Sequence, residues 1–146
     1  MLVVTDIDRT VEFYKRVLGL HVIMDFGGNK TLTGGLALQT AETYGDFIGT
    51  KEITFGSNSF ELYFEEDDFD KFAEKLKSFD IEYVHPVLEH TWGQRVVRIY
   101  DPDKHIVEVG ENMKAVCRRF LDRGMTPQQV AERMDVPMKF VNACIR

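Results

Sequence analysis

Apolar and polar side chains alternate in two neighbouring segments, residues 95–100 and 106–109. This period of two predicts β-strands. Asp101-Pro102-Asp103 lies between them and has turn chemistry, so the segments read as a hairpin. With Ile99 opposite Val107, one face is wholly apolar: Val97, Ile99, Val107 and Val109. The other face carries Arg98, Tyr100, Ile106 and Glu108. We therefore expect function on the second face.

The first part of the chain predicts a strand, a helix and further strands. Apolar residues recur at helical spacing from Val11 to Leu18, between a capping Asp6 and a terminating Gly19. Strands are predicted at residues 2–4, 21–26, 31–33 and 36–40, with a bend at 34–35. Residues 41–51 are predicted to be a loop, and residues 52–55 a further strand.

The same plan repeats in the next segment. Residues 59–64 alternate as a half-buried strand, and acidic residues at 65–68 precede an amphipathic helix. That helix presents Phe69, Phe72, Ala73, Leu76 and Phe79. A strand at 81–84 and the hairpin complete the set. Strand, helix and three strands thus occur twice, about sixty residues apart, which indicates an internal repeat.

The C-terminal segment predicts short helices of a different kind. An apolar stripe runs from Met113 to Leu121, and Thr126 with Gln129 forms a capping box. Pro137 opens a third helix. The run resembles the first helices of a helix-turn-helix, but no arginine-rich reading helix follows. A helical clasp that packs on its own body or on a dimer mate is favoured.

Charge and composition narrow the functional classes. The 146 residues are 44% hydrophobic and 29% charged, which suits one compact domain with an appendage. Residues 1–112 carry a net charge of −10 and residues 113–146 one of +4. The acidic body disfavours nucleic acid as a partner and mildly favours a cationic or metal-linked ligand. With no membrane-spanning run, a cytoplasmic protein is expected, with Cys117 and Cys144 reduced.

Two groups of residues resemble the vicinal oxygen chelate superfamily, which includes glyoxalase I, bleomycin- and fosfomycin-resistance proteins and ring-cleaving dioxygenases. The opening group is Val4-Thr5-Asp6-Ile7, Phe13-Tyr14 and Leu18-Gly19, and the closing group is Asp101-Pro102-Asp103, Ile106 and Glu108. The resemblance covers residues 1–111. It implies an α+β fold in which two βαβββ modules, about 1–56 and 57–112, form a curved mixed sheet around a cleft. Residues 113–146 would be a helical C-terminal extension, and a homodimer is expected.

The resemblance also implies where a divalent metal would bind. Family sites use one residue on the first and one on the last strand of each module. The matching positions here are Gln39 and Glu108, with the poor ligand Ser59 as a third. The fourth would precede Met1. Ni, Zn, Mn or Fe is the metal class implied, although two plausible ligands make a damaged site.

Several side chains are candidates for chemistry on the inferred cleft face. Glu108 is either a ligand or base, or the partner of Arg98 in a cross-strand ion pair. Glu61 could be a second carboxylate for general base catalysis. The expected ligand-binding residues are Ser59, Tyr63, His90, Trp92, Arg98 and Tyr100. His90 is alternatively a solvated loop residue, His85 lies near a strand end, and His105 is expected to be exposed in its turn.

These observations predict a glyoxalase/bleomycin-resistance-like protein that handles a small molecule. The enzymatic version is a lyase or isomerase, metal-assisted, with Glu108 and Glu61 catalytic. The alternative is a non-catalytic small-molecule or drug-binding protein with a degenerate metal site. A ligand-responsive regulator is a third interpretation, which depends on the C-terminal segment alone.

Overall fold

The computed structural model describes residues 1–145. Contacts divide the chain into two compact units, residues 1–60 with 100–105, and residues 61–99 with 106 onward. The strands are β1 Leu2–Val4, β2 Val22–Asp25, β3 Asn29–Leu32, β4 Ala37–Thr40, β5 Glu61–Glu66, β6 Tyr83–Glu89, β7 Arg95–Tyr100 and β8 Ile106–Glu111. The helices are α1 Ile7–Leu18, α2 Ala41–Ile48, α3 Phe69–Leu76, α4 Met113–Asp122, α5 Pro127–Met134 and α6 Met138–Ile145. The α+β fold with two modules and C-terminal helices is confirmed, and each module forms its own four-stranded mixed sheet.

The first unit has the strand order β1-β4-β3-β2, with β1 parallel to β4 and the other pairs antiparallel. Helix α1 begins where the Asp6 carboxylate accepts the Arg9 N–H, and it ends at Gly19, whose φ of 70° suits glycine. Its buried side is Thr10, Tyr14 and Val17. The predicted helix therefore has the expected caps.

Two predictions for residues 41–55 are wrong. Residues 41–48 form helix α2, because the Thr40 hydroxyl caps it at the Thr43 N–H and Gly49 closes it in the left-handed region. Residues 51–58 have no regular structure, so the predicted strand at 52–55 is absent. The short alternation there has no ladder partner among the described strands.

The Asp101-Pro102-Asp103 turn is buried within the first unit. Asp101 accepts hydrogen bonds from the Tyr14 phenol at 2.9 Å and from the His105 backbone N–H at 2.9 Å. The His105 ring Nδ1 lies 2.8 Å from the Asp101 carboxylate. His105 is only 8% exposed, so its expected exposure is wrong. The buried Asp101 carboxylate holds the His105 ring in place by accepting a hydrogen bond from its N–H.

The second unit has the strand order β5-β8-β7-β6, with β5 parallel to β8. The Asp101 N–H bonds the His105 carbonyl at 2.9 Å, which sets Ile99 opposite Val107 as the alternation predicted. The apolar face is buried: Val97, Ile99, Val107 and Val109 are at most 1% exposed. Helix α3 contributes the buried Phe69, Phe72 and Leu76.

Strand β6 is longer than the predicted strand at 81–84. It continues through His85 and Pro86 to Glu89, so His85 lies inside the strand. Because β6 is an edge strand with register shifts between 83 and 88, a residue without an N–H is tolerated there.

The three C-terminal helices share a small core of their own. Its buried members are Val116, Cys117, Phe120, Val130, Ala131, Met134, Val141 and Cys144. Both cysteines are free and buried. Arg119 of α4 donates to the Gly93 carbonyl at 2.6 Å and pairs with Glu111 at 2.9 Å, which fastens the helices to the second sheet.

None of the helices in residues 1–145 is both long and apolar enough to cross a bilayer.

Candidate functional site

The face of the second sheet opposite its apolar core gathers polar side chains from all four strands. Tyr63 of β5 is the register partner of Glu108 of β8, and His85 of β6 is the register partner of Arg98 of β7. Glu61 lies two residues before Tyr63 and shares its face. We call Glu61, Tyr63, His85, Arg98 and Glu108 the polar cluster.

Arg98 joins the two carboxylates of the polar cluster. Its Nε lies 2.7 Å from Glu61 Oε2, and its Nη2 lies 2.7 Å from Glu108 Oε2. The side chain of Glu108 is 9% exposed, that of Arg98 24% and that of Glu61 35%. The cross-strand pair of Arg98 and Glu108 is therefore present, and Glu61 extends it to a triad.

The two carboxylates differ in proton affinity. Burial, assisted by the hydrogen bond with Glu61, raises the pKa of Glu108 to about 7 against the opposing effect of Arg98. The hydrogen bonds from Arg98 and then from Glu108 lower the pKa of Glu61. Below about pH 7 the pair thus holds one proton, which lies mainly on Glu108.

The hydrogen bonds of His85 define its tautomer. Its Nε2 lies 3.2 Å from Arg98 Nη1, and its Nδ1 lies 2.7 Å from the Pro86 carbonyl. A guanidinium can only donate and a carbonyl can only accept. Nδ1 therefore donates to the Pro86 carbonyl and Nε2 accepts from Arg98, so that His85 orients the guanidinium.

An aromatic pair lies at one end of the same face. The rings of His90 and Trp92 stack with centroids 4.2 Å apart at an interplanar angle of 16°. The Trp92 indole donates to Gln94 Oε1 at 3.1 Å, and Gln94 Nε2 donates to the Tyr63 hydroxyl at 3.0 Å. Gln94 therefore connects the aromatic pair to the polar cluster.

The pKa of His90 is lowered, mainly by burial and then by the charges of Arg98 and His85.

Gly110 makes room for this connection. A Cβ at residue 110 would lie 2.8 Å from Gln94 Nε2 and 2.9 Å from the Tyr63 ring. A Cβ at this position would force Gln94 or Tyr63 to shift, so glycine lets their hydrogen bond form in its present place.

Three of the predicted site residues belong to the first unit and have partners there. The Ser59 hydroxyl bonds Ser57 at 2.9 Å, and the Tyr100 phenol donates to Asn58 at 3.0 Å. Gln39 is 5% exposed. Its carbonyl accepts from Asn29 at 2.8 Å, and its amide donates to Thr43. The other predicted residues, Glu61, Tyr63, His90, Trp92, Arg98 and Glu108, belong to the second unit.

Sequence reasoning missed three residues of the site. His85 and Gln94 participate in its hydrogen bonds, and Gly110 leaves space for them. Only period-two alternation from Arg98 back to Gln94 could have placed Gln94 on this face. His85 could be placed on this face only if β6 was known to continue through Pro86.

The residues present do not fit the divalent metal that the superfamily implies. In residues 1–145, no group of three or more His, Cys, Asp or Glu side chains is arranged to hold a metal ion. The Gln39 carbonyl is already hydrogen-bonded, and the Glu108 carboxylate is bound by a permanent cation, Arg98. A ligand set of one engaged amide and one half-protonated carboxylate is poor for Ni, Zn, Mn or Fe.

The profile of the glyoxalase-like domain matches residues 1–114. The chain belongs to the glyoxalase-like family. This confirms the resemblance to the vicinal oxygen chelate superfamily, whose fold hosts several chemistries.

Three proteins are similar to the glyoxalase-like chain in sequence or in structure. It is 27% identical over 122 residues to the Bacillus subtilis (strain 168) protein YraH, across 74% of this chain and 91% of YraH. A protein of unknown function from Agrobacterium tumefaciens str. C58 is 34% identical, with a TM-score of 0.69 over 77% of this chain and 91% of that one. A glyoxalase/bleomycin resistance protein/dioxygenase from Nocardioides is 22% identical, with a TM-score of 0.60 over 75% and 78%. The Nocardioides structure supports the fold alone.

Proposed function

We propose that this glyoxalase-like protein binds a small organic molecule on the polar face of the second sheet. Glu108 then acts as a general base or acid that takes a proton from that molecule or returns it. The observation that carries the proposal is the Glu108 carboxyl, whose pKa is raised to about 7 beside Glu61 and Arg98. A general acid or base works best when its pKa lies near the operating pH. The reaction class is an isomerisation or a lyase reaction that begins with loss of a proton next to a carbonyl group.

The neighbours of Glu108 suit this role. Glu61 remains ionised and keeps the shared proton within reach of Glu108. Arg98 has five N–H donors, and four are directed at Glu61, Glu108 and His85. The remaining N–H has no acceptor within residues 1–145 and can stabilise the negative charge that develops on a carbonyl oxygen as the proton leaves. The Trp92 ring offers a surface for an apolar or aromatic part of the substrate.

We propose that this reaction needs no resident divalent metal. The Arg98 guanidinium supplies positive charge beside both carboxylates, at contact distances of 2.7 Å. It cannot lose its proton in a protein, so the charge is present at every working pH. The lyase or isomerase of the family resemblance would thus use arginine for charge stabilisation.

Proton abstraction can be tested without knowing the natural substrate. A panel of small α-hydroxy ketones and aldehydes is incubated with the protein in D₂O, and exchange of the α-proton is followed by ¹H NMR. We expect exchange of at least one panel member, with a rate that rises around pH 7 as Glu108 ionises. Glu108→Gln should lower the rate by about 10²-fold or more.

Glu12→Gln is the matched control, because Glu12 is exposed on α1 in the first unit. Its exchange rate should equal that of the unmodified protein. If no compound exchanges, or if Glu108→Gln exchanges at the original rate, the acid–base proposal is wrong.

A non-catalytic binding protein is the second candidate, favoured by the stacked His90–Trp92 pair. Trp92 is 37% exposed and is the only tryptophan in the chain, so its fluorescence reports this site specifically. Aromatic compounds that quench Trp92 without any proton exchange would support binding over catalysis. Gly110→Ala should weaken such binding, because its Cβ would displace Gln94 or Tyr63.

We further infer the organisation in which the site operates. The division into a glyoxalase-like domain at residues 1–112 and a helical extension at 113–146, a homodimeric state and a cytoplasmic location remain proposals. Family resemblance, composition and the shared core of α4, α5 and α6 support them. Light scattering of the purified protein would test the dimer.

A further inference from the structure

Helices α5 and α6 are joined by a short turn with a defined conformation. Residues 135–137 separate the two helices, and Asp135 ends α5 in the left-handed region with φ 53° and ψ 48°. Thr126 and Gln129 cap the start of α5 through a reciprocal pair of hydrogen bonds. A three-residue turn between two short helices, the first of them capped at both ends, is the arrangement of a helix-turn-helix.

The buried positions of the two helices hold this arrangement together. Val130, Ala131 and Met134 of α5 meet Val141 and Cys144 of α6 in one core. Helix α4 completes this core with Val116, Cys117 and Phe120. Val136 of the turn packs against the core.

Within residues 1–145, the ion pairs that join the three helices to the rest of the second unit come from α4 and α5. Arg119 of α4 binds Glu111, and Arg133 of α5 binds Glu89 at 3.2 Å and the Thr91 carbonyl. Helix α6 presents an exposed face made of Met138, Lys139, Asn142, Ala143 and Ile145. The helix that reads DNA in a helix-turn-helix is the second of the pair, which is α6 here.

The charge of this segment differs from that of the body. Residues 113–146 carry +4, whereas residues 1–112 carry −10. Lys114, Arg118 and Arg123 line a groove of about 710 Å³ along α4, together with Asp67 and Asp122. The cations of this groove and Lys139 on α6 can neutralise backbone phosphates.

We propose that residues 113–145 form a helix-turn-helix that binds duplex DNA, with α6 in the major groove. Asn142 can pair with the N6 and N7 edge of adenine, and Lys139 with the O6 and N7 edge of guanine. This departs from the sequence-based expectation against nucleic acid, because the structure supplies the turn and an exposed reading helix. The inference does not rest on the proposed function.

Selection from a library of randomised duplexes, followed by sequencing, tests the proposal with the full chain. Bound duplexes are separated by gel shift at about 50 mM KCl, and the enriched duplex is then titrated at about 50 and about 200 mM KCl. We expect an enriched sequence, and affinity that falls steeply as salt rises. Asn142→Ala and Lys139→Ala should each weaken binding to that sequence by about fivefold to a hundredfold.

Lys51→Ala is the control for loss of one positive charge, because Lys51 is exposed in the first unit. Circular dichroism checks that each variant is folded, and the two replaced α6 residues are exposed, so folding should persist. The proposal is overturned if no sequence is enriched, or if binding to an enriched duplex is unchanged in both α6 variants.

Discussion

Replacing Glu108 by glutamine should change the pH dependence of stability rather than simply weaken the fold. In the folded chain the pKa of Glu108 is raised from its ordinary value of 4.5 to about 7. Between these pH values the folded state keeps a proton that the unfolded state has released. The free energy of unfolding therefore falls as pH rises through this window, and the stabilisation is complete only below about pH 4.5.

The size of the effect follows from the structure. A change from 4.5 to about 7 corresponds to roughly 3 kcal/mol, at about 1.4 kcal/mol per tenfold change in proton affinity. Solvent reaches the partners, since the side chains of Arg98 and Glu61 are 24% and 35% exposed. We therefore expect about 1–2 kcal/mol after screening. The lowered pKa of Glu61 has the opposite effect, since it makes stability fall as pH falls. That effect lies below pH 4.5 and therefore outside this window.

Glutamine resembles protonated Glu108 and can still donate to Glu61. Glu108→Gln should therefore match the unmodified protein at about pH 5 and be more stable by about 1–2 kcal/mol at about pH 8. Arg98→Met should lower the free energy of unfolding, because it leaves two adjacent carboxylates without their cation. This loss of stability should grow as pH rises.

Urea unfolding, followed by Trp92 fluorescence at several pH values, measures both differences. Subtracting the unmodified curve from the variant curve removes the contribution of the histidines. A Glu108→Gln protein that is less stable than the unmodified protein at pH 8 would refute the proton-sharing account. Glu12→Gln should show no pH-dependent difference, since Glu12 is exposed in the other unit.

Three further predictions test the metal, the C-terminal helices and the buried turn. Elemental analysis after dialysis should find no stoichiometric Ni, Zn, Mn or Fe, and tightly held metal would contradict our interpretation of Gln39. Phe120→Ala should cost about 3–5 kcal/mol in thermal or urea unfolding, because Phe120 is 4% exposed; an unchanged melting temperature would show that the helices are an independent module. Tyr14→Phe should cost about 1–3 kcal/mol, because buried Asp101 loses a donor, and a neutral result would mean that water replaces the phenol.

Local signals were sufficient to predict much of the fold. The hairpin combines alternation with the Asp101-Pro102-Asp103 turn, and α5 begins at a Thr126–Gln129 capping box. Both elements could therefore be predicted from a few adjacent residues. Helix α2 was missed because residues 41–48 include Gly45 and no strong apolar period. Gly45 is there for packing, since a Cβ would lie 2.8 Å from the Thr50 carbonyl.

The site was less readable because its properties depend on residues far apart in the sequence. Alternation placed Arg98 and Glu108 on one face, but the raised pKa of Glu108 depends on Glu61, on a distant strand. His105 looked like an exposed turn residue, since its partner Asp101 is fixed by Tyr14, 87 residues away from it. Such contacts have no signature in a local pattern.

The parallel pairing of β5 with β8 also has a consequence for how the chain is made. Glu61 pairs with Ile106, about 45 residues later, so this pairing cannot begin until almost the whole module has left the ribosome. Closing so long a loop is slower than closing a hairpin. Until then, β5 holds Leu62 and Phe64 on a strand without its neighbour, and unpaired strands of this kind aggregate. Slow translation just before codon 106 would lengthen that exposure and raise the demand for chaperones.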